Sequence, residues 1–438
     1  MKMKQKNIVF YFSDQQRWDT VNETLTPNLM QMAAEGVKFD RHYTCQPVCG
    51  PARACLQTGL YATQCGVCFN GISLPREIKG LAQYFNEAGY ETAYIGKWHL
   101  ASDRFYRHGV HCANSAIPRE RQGGYQYFRG ADVLEATSHG YDGYVFNENG
   151  NRLDFKGYRA DCINDFAIEF LRGRDTEKPF FLFVSQLEPH HQNDRGRYEG
   201  FRETVEQYKN YPVPDDLTGF KGDWEEMYPD YCSAVNRLDY NVGRLVTTLK
   251  DLGLYEDTVI VYTSDHGSHF KTRNAEYKRS CHESSVHVPL IIRGGSFIDG
   301  RTEEVLTSLI DLPPTLLSLA GIPVPPSYMG FDLSEKTDRD CVFIQISEAS
   351  NSRAIRTKRY KYAVRDALPV AVLHHSAPVY FEDYLYDLEK DGREINNLIK
   401  NEEYADVRRS LRKMLQEEMK KADEKTPLIL PAVKRRKR

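Results

Sequence analysis

Short runs of β-branched and aromatic residues alternate with helix-period segments through about the first 300 residues of this chain. The run at 8–12 (Ile8, Val9, Phe10, Tyr11, Phe12) breaks into polar Ser13 and Asp14. Thr26, Pro27 and Asn28 then open a helical pattern through Leu29, Met32 and Ala33, which Gly36 stops. A short amphipathic helix at 81–88 ends at Gly89 and precedes a strand at 92–95. Phe166, Ile168, Phe170 and Leu171 mark a helix before a strand at 180–184. The spacing of Val235, Leu238, Val242, Leu245 and Leu249 predicts a helix over 231–252 that Gly253 caps, followed by strands at 259–262 and 289–292. This order argues for an α/β fold: a large, mostly parallel mixed sheet sandwiched by helices.

The pattern changes after the polar stretch 332–340. Short strands at 342–346, 353–355 and 360–364, then a helix at 404–420, read as a smaller C-terminal α+β subdomain with an antiparallel sheet. The expected division is a catalytic unit over 1–335 and this subdomain over 336–438, which 438 residues accommodate. A formal net charge of −3 gives no global attraction to nucleic acid or anionic membranes, and neither is expected as a partner. No apolar run is long enough to span a bilayer, and 8–12 is too short for a signal core, so a cytoplasmic protein is expected. Ten cysteines in a chain of this length do not make a disulfide scaffold. Cys65 and Cys68 have CxxC spacing without the second pair a zinc site needs, so free thiols are expected. The basic tail at 434–438 reads as a solvated end.

Ligands of α/β sheets sit beyond the carboxyl ends of the strands. Two such ends are acidic here: Asp14 and Gln15 follow the first strand, and Asp265 and His266 follow the strand at 259–262. Two carboxylates, an amide oxygen and an imidazole suit a divalent cation. A lone strand-end Asp is as often a turn cap; two with polar neighbours favour the metal. In the segment after Cys49, Pro51 fits the first turn of a helix, and Arg53 falls on the same side of that turn as Cys49. The thiol then stands at a helix N-terminus, where backbone N–H groups favour an anion. By itself, such a cysteine is more often structural than reactive.

Cys49, Pro51, Ala52 and Arg53, followed by Leu56, Thr58 and Gly59, resemble the type I sulfatase signature Cys-x-Pro-Ser-Arg with Leu-x-Thr-Gly; Ala52 stands at the usual Ser. The resemblance to this family of the alkaline phosphatase superfamily extends over nearly the whole chain. It includes Gly96-Lys97-Trp98-His99, Pro189-His190-His191, Asp265-His266-Gly267, and Lys278 five residues before Glu283. Arg356 to Lys361 and Leu385 to Leu388 resemble the family's C-terminal part.

The resemblance implies a sulfuric ester hydrolase in which Cys49 is oxidised to formylglycine by a maturation enzyme. One hydroxyl of the hydrated aldehyde attacks sulfur, and the other then expels sulfate, a route that a serine lacks. It implies one divalent metal held by Asp14, Gln15, Asp265, His266 and residue 49, with calcium the first choice and manganese the second. Lys97 and Lys278 hold the sulfate oxygens, Arg53 orients the hydrated aldehyde, His99 contacts the hydroxyl that is deprotonated, and His190 protonates the leaving oxygen with His191 as competitor. Asp14-Gln15 departs from the paired acids of many members and is similar to the subset with choline sulfatases and phosphonate monoester hydrolases, which leaves those activities as alternatives. The aromatic and basic residues of 104–154 (Arg121, Tyr125, Tyr127, Arg129, His139, Tyr144), with His374 and His375, are expected to rim a pocket for a small sulfated sugar or oligosaccharide.

Overall fold

The computed structural model describes residues 5–103, 111–366 and 375–433. Its larger sheet has eleven strands. Five of them run parallel at the centre, in the order Thr258–Ser264, Asn7–Ser13, Phe180–Ser185, Glu91–Lys97, Tyr127–Ala131. Leu290–Arg293 pairs antiparallel on one flank and Asp142–Asn147 on the other. Side chains alternate across a strand, so the first strand feeds two cores. Ile8, Phe10 and Phe12 join one with the helices Cys49–Thr58, Leu81–Glu87 and Leu312–Leu319. Val9 and Tyr11 join the other, with Pro27–Glu35, Arg159–Gly173 and Trp224–Asp251. The expected helix-covered mixed sheet is therefore present.

A second sheet of five strands holds Cys341–Ile346, Ser352–Thr357, Tyr360–Asp366 and Val379–Asp387 in antiparallel order, with Leu428–Leu430 added parallel at its edge. The helix Ala405–Lys421 covers it with Leu411, Leu415 and Met419, spaced one turn apart on one face. The sequence does not mark the last two strands: Glu382 and Asp383 blur the alternation of Val379–Asp387, and Leu428–Leu430 is only three residues long.

Two further elements differ from expectation. The long helix begins at Trp224, seven residues before 231, and continues through Pro229. The stretch 104–154, expected to rim a pocket, also holds strands: Tyr127–Ala131, Asp142–Asn147 and Arg152–Lys156 extend the large sheet. Residues 104–110, His374 and the tail at 434–438 lie outside the described residues. Every described cysteine is a free thiol. Among the described residues, no helix is long and apolar enough to cross a membrane.

Candidate active site

Strand register explains why distant acids meet. Asn7–Ser13 and Thr258–Ser264 pair with Ser13 opposite Ser264, so the next residues, Asp14 and Asp265, leave the sheet side by side. Lys97 ends the strand Glu91–Lys97, whose Gly96 lies opposite Ser185. Gly96 has φ +105°, and a Cβ there would come within 1.8 Å of the Ser185 carbonyl oxygen, so only glycine lets these strand ends close. Cys49 opens the helix Cys49–Thr58 above the same edge.

The side chains of Asp14, Cys49, Asp265 and His266 converge, with their ligand atoms within 4.8 Å of one another and all four buried. The Cys49 Sγ lies 2.9 Å from Lys278 Nζ, 3.2 Å from His266 Nε2 and 3.6 Å from Asp14 Oδ1. Nδ1 of His266 donates to the Gly267 carbonyl at 3.0 Å, so that Nε2 faces the cluster. Arg53 donates to Asp14 at 3.0 Å, Asp265 at 3.4 Å, the Lys97 carbonyl at 2.9 Å and Ser185 Oγ at 2.6 Å. Lys97 Nζ sits 2.9 Å from Asp14 Oδ2 and 3.1 Å from Glu135 Oε1.

The charges explain the acidities. Burial alone would raise the Cys49 thiol, but Lys278, Lys97 and His266 pull it well below its ordinary value. Burial opposes ionisation of Asp14 too, yet Lys97, His190 and Arg53 hold it low. Asp265 moves up, by burial and by the negative Asp14 beside it. Two buried carboxylates crowded in this way are relieved by a cation, and the donors present suit one: two carboxylates, an imidazole, and the Gln15 amide adjoining them.

A cavity of about 160 Å³ opens onto Cys49 and is lined also by Gln15, His99, His190 and Lys278. His190 Nε2 accepts from Lys278 Nζ at 3.0 Å and stands 3.9 Å from Asp14. Burial, then Lys278, pushes the His190 ring down to about 4. His191 points elsewhere: it stacks on Tyr277 with centroids 4.3 Å apart and contacts Asn193. His99 lines the cavity with its Nδ1 buried and unpartnered.

The expected pocket rim is corrected. Tyr125 is buried against Gln57, Arg129 pairs with Glu148, His139 with Asp194, and Tyr144 carries the Arg152 guanidinium; none of these lines the cavity, nor do Arg121, Tyr127 or His375. Tyr127, Arg129 and Tyr144 lie in the strands of the sheet extension instead, and Tyr125 packs against Tyr94 in the core. From 104–154 the cavity receives Glu135, which sequence reasoning missed. It follows the strand Tyr127–Ala131, so recognising that strand would have brought Glu135 under the same strand-end rule as Asp14. Asn70, Asn193, Glu276, Tyr277 and Arg279 complete the lining and belong to loops without a local signature.

Burial raises the pKa of Glu135, but Lys97 overrides this and holds it at about 2, below the ordinary 4.5. A depressed carboxylate stabilises the fold fully above its unfolded-state value and loses that contribution as pH falls through the folded one. Glu135→Gln is therefore expected to lose stability less steeply than the unaltered chain between pH 4.5 and about 2, as read by urea unfolding across that window.

The sulfatase family model matches residues 6–322, and a model of the N-sulphoglucosamine sulphohydrolase C-terminal region matches 275–421. The chain is 27% identical to an N-acetylglucosamine-6-O-sulfatase of Bacteroides thetaiotaomicron, over 97% of this chain and 88% of that protein. It is 30% identical to an ulvan-active sulfatase of Formosa agariphila, over 82% of this chain and 72% of that one. A solved structure of a protein in complex with its substrate D-glucosamine-2-N,6-O-disulfate has the same fold, with a TM-score of 0.79 at 24% identity, covering 97% of this chain and 99% of that one. A match of this extent, over a strand edge that gathers the signature residues, places the chain in the sulfatase family of the alkaline phosphatase superfamily, and it is a sulfuric ester hydrolase.

Proposed function

We propose that this enzyme removes sulfate from a small sulfated carbohydrate, with Cys49, oxidised to formylglycine, as nucleophile beside one divalent cation. The observation that carries the reading is the setting of the Cys49 Sγ: at the floor of a cavity, between the Lys278 ammonium and the Asp14, Asp265 and His266 cluster. When present, the hydrated aldehyde and the cation supply an activated oxygen nucleophile and a second hydroxyl able to expel sulfate. Asp14, Gln15, Asp265 and His266 are the residues suited to hold that cation, calcium before manganese.

The remaining roles fall to the chain's own charges. Lys278, in contact with Cys49, and Lys97, behind it on Asp14 and Glu135, are the cations for the sulfate oxygens as charge moves onto them. Arg53, fixed by four acceptors, orients residue 49 from beneath. His99 lies on the cavity wall for the deprotonation that releases sulfate. His190 is the favoured acid, since it shares Lys278 with Cys49, whereas His191 is stacked away. An anionic sulfate ester beside His190 offsets Lys278 and shifts the ring towards its protonated form, as proton donation to the leaving oxygen requires.

One relative and one family model support a sulfated-sugar substrate: the relative is named an N-acetylglucosamine-6-O-sulfatase, and the C-terminal family model is that of an N-sulphoglucosamine sulphohydrolase. The test is a panel of sulfated monosaccharides, glucosamine sulfates included, assayed beside an aryl phosphonate monoester. A sulfated sugar turned over orders of magnitude faster supports the reading; the reverse ranking overturns it in favour of a phosphonate monoester hydrolase, the alternative that Asp14-Gln15 favours. Chelation is expected to abolish turnover and lower the melting temperature, and added calcium to restore both.

A further inference from the structure

We propose that Tyr198 and Ser268 are positioning residues that turn the side-chain oxygen of Gln15 towards the cation, and that they are what lets an amide stand where an acid is common. The proposal rests on the reading of Asp14, Gln15, Asp265 and His266 as cation ligands.

Gln15 is locked at three points. It has φ +70°, a left-handed backbone that a non-glycine residue adopts only when its surroundings hold it there. Its N–H donates to Asp265 Oδ1 at 3.0 Å, and its carbonyl accepts from the Tyr231 hydroxyl at 2.8 Å. Its side-chain Nε2 lies 2.7 Å from Tyr198 Oη and 3.3 Å from Ser268 Oγ. Those two hydroxyls are 2.8 Å apart, and all three residues are buried. Tyr198 is itself immobilised, edge-on to Tyr231 and Tyr277 in an aromatic cluster.

A primary amide has two N–H donors and one acceptor oxygen. One proton is shared between the two hydroxyls, and both oxygens keep lone pairs that accept from Nε2. With the nitrogen so occupied, the oxygen is the amide atom left for the cavity, which Gln15 lines. Without the hydroxyls, the buried NH₂ would lack partners and would compete for the cation-facing position. An acid at position 15 would need no such partner, and it would add a further negative charge.

The test is calcium titration of the full-length, metal-free protein by calorimetry, with manganese as second probe and no substrate present. Tyr198→Phe and Ser268→Ala are each expected to weaken calcium about 10-fold, within the ~10–100-fold range for losing an outer partner of a metal ligand. In a Gln15→Ala background, Tyr198→Phe is expected to change affinity no further, because its action runs through that amide. Equal weakening with and without Gln15 would identify a merely structural tyrosine and overturn the proposal, as would unchanged affinity in both single variants. If Tyr198→Phe does not fold, Ser268→Ala alone and with Gln15→Ala carries the same comparison. Unaltered protein that binds neither cation overturns the proposal and its ligand set. Sulfate release, assayed separately, tests the function itself.

Discussion

Cys49→Ala is expected to lower kcat by on the order of 10⁴- to 10⁶-fold, the scale of loss when a nucleophile that works as a unit with its neighbours is deleted. The substitution removes one buried sulfur and leaves Asp14, Asp265, His266 and Lys278 in place, so the folded protein survives to be assayed. Lys278 would still attract an anion above the helix N-terminus, and substrate affinity is expected to fall far less than turnover. The check pairs sulfate-release kinetics with a circular dichroism melt. Rates like those of the unaltered enzyme, in folded Cys49→Ala protein, would remove Cys49 from the chemistry.

Lys97→Ala is expected to damage both fold and turnover. Its ammonium is fully buried between Asp14 and Glu135. Removing it strands two carboxylates in the interior, at ~3–5 kcal/mol for breaking a buried pair. It also removes the cation proposed to hold the sulfate oxygens, and kcat is expected to fall by at least about 10²–10³, by analogy with deleting one preorganised donor. The two losses separate in the double variant Lys97→Ala with Glu135→Gln. Neutralising the stranded Glu135 is expected to recover part of the stability and none of the activity. Recovery of both would reduce Lys97 to a structural counter-ion.

The α/β sheet was legible because its strands are short, apolar and bounded by polar ends. The position of the site followed from the same feature, since Asp14 and Asp265 each sit one residue past a strand. That these two strands are neighbours in register was not legible: it depends on pairing across about 250 residues, which local pattern does not encode. Cys49, Arg53, Lys97 and Lys278 carried signal through a family motif, not through their own physics, for a cysteine at a helix start is commonplace. The rim was misread for a physical reason. Tyr125, Tyr127, Arg129 and Tyr144 have the composition of a sugar-binding loop, but aromatic residues also favour strands, and here they build or flank a sheet extension. Glu135 was legible only through the unmarked strand Tyr127–Ala131 that precedes it, whereas Tyr198 and Ser268 left no trace in sequence because each acts through Gln15, far along the chain.

The claim on which the rest depends is that turnover belongs to an oxidised Cys49. Mass measurement of the peptide across position 49, made on preparations of graded specific activity, tests it most directly. Turnover is expected to rise in proportion to the fraction carrying the lighter, aldehyde form; full activity in a preparation whose Cys49 is entirely thiol would rule the oxidised nucleophile out.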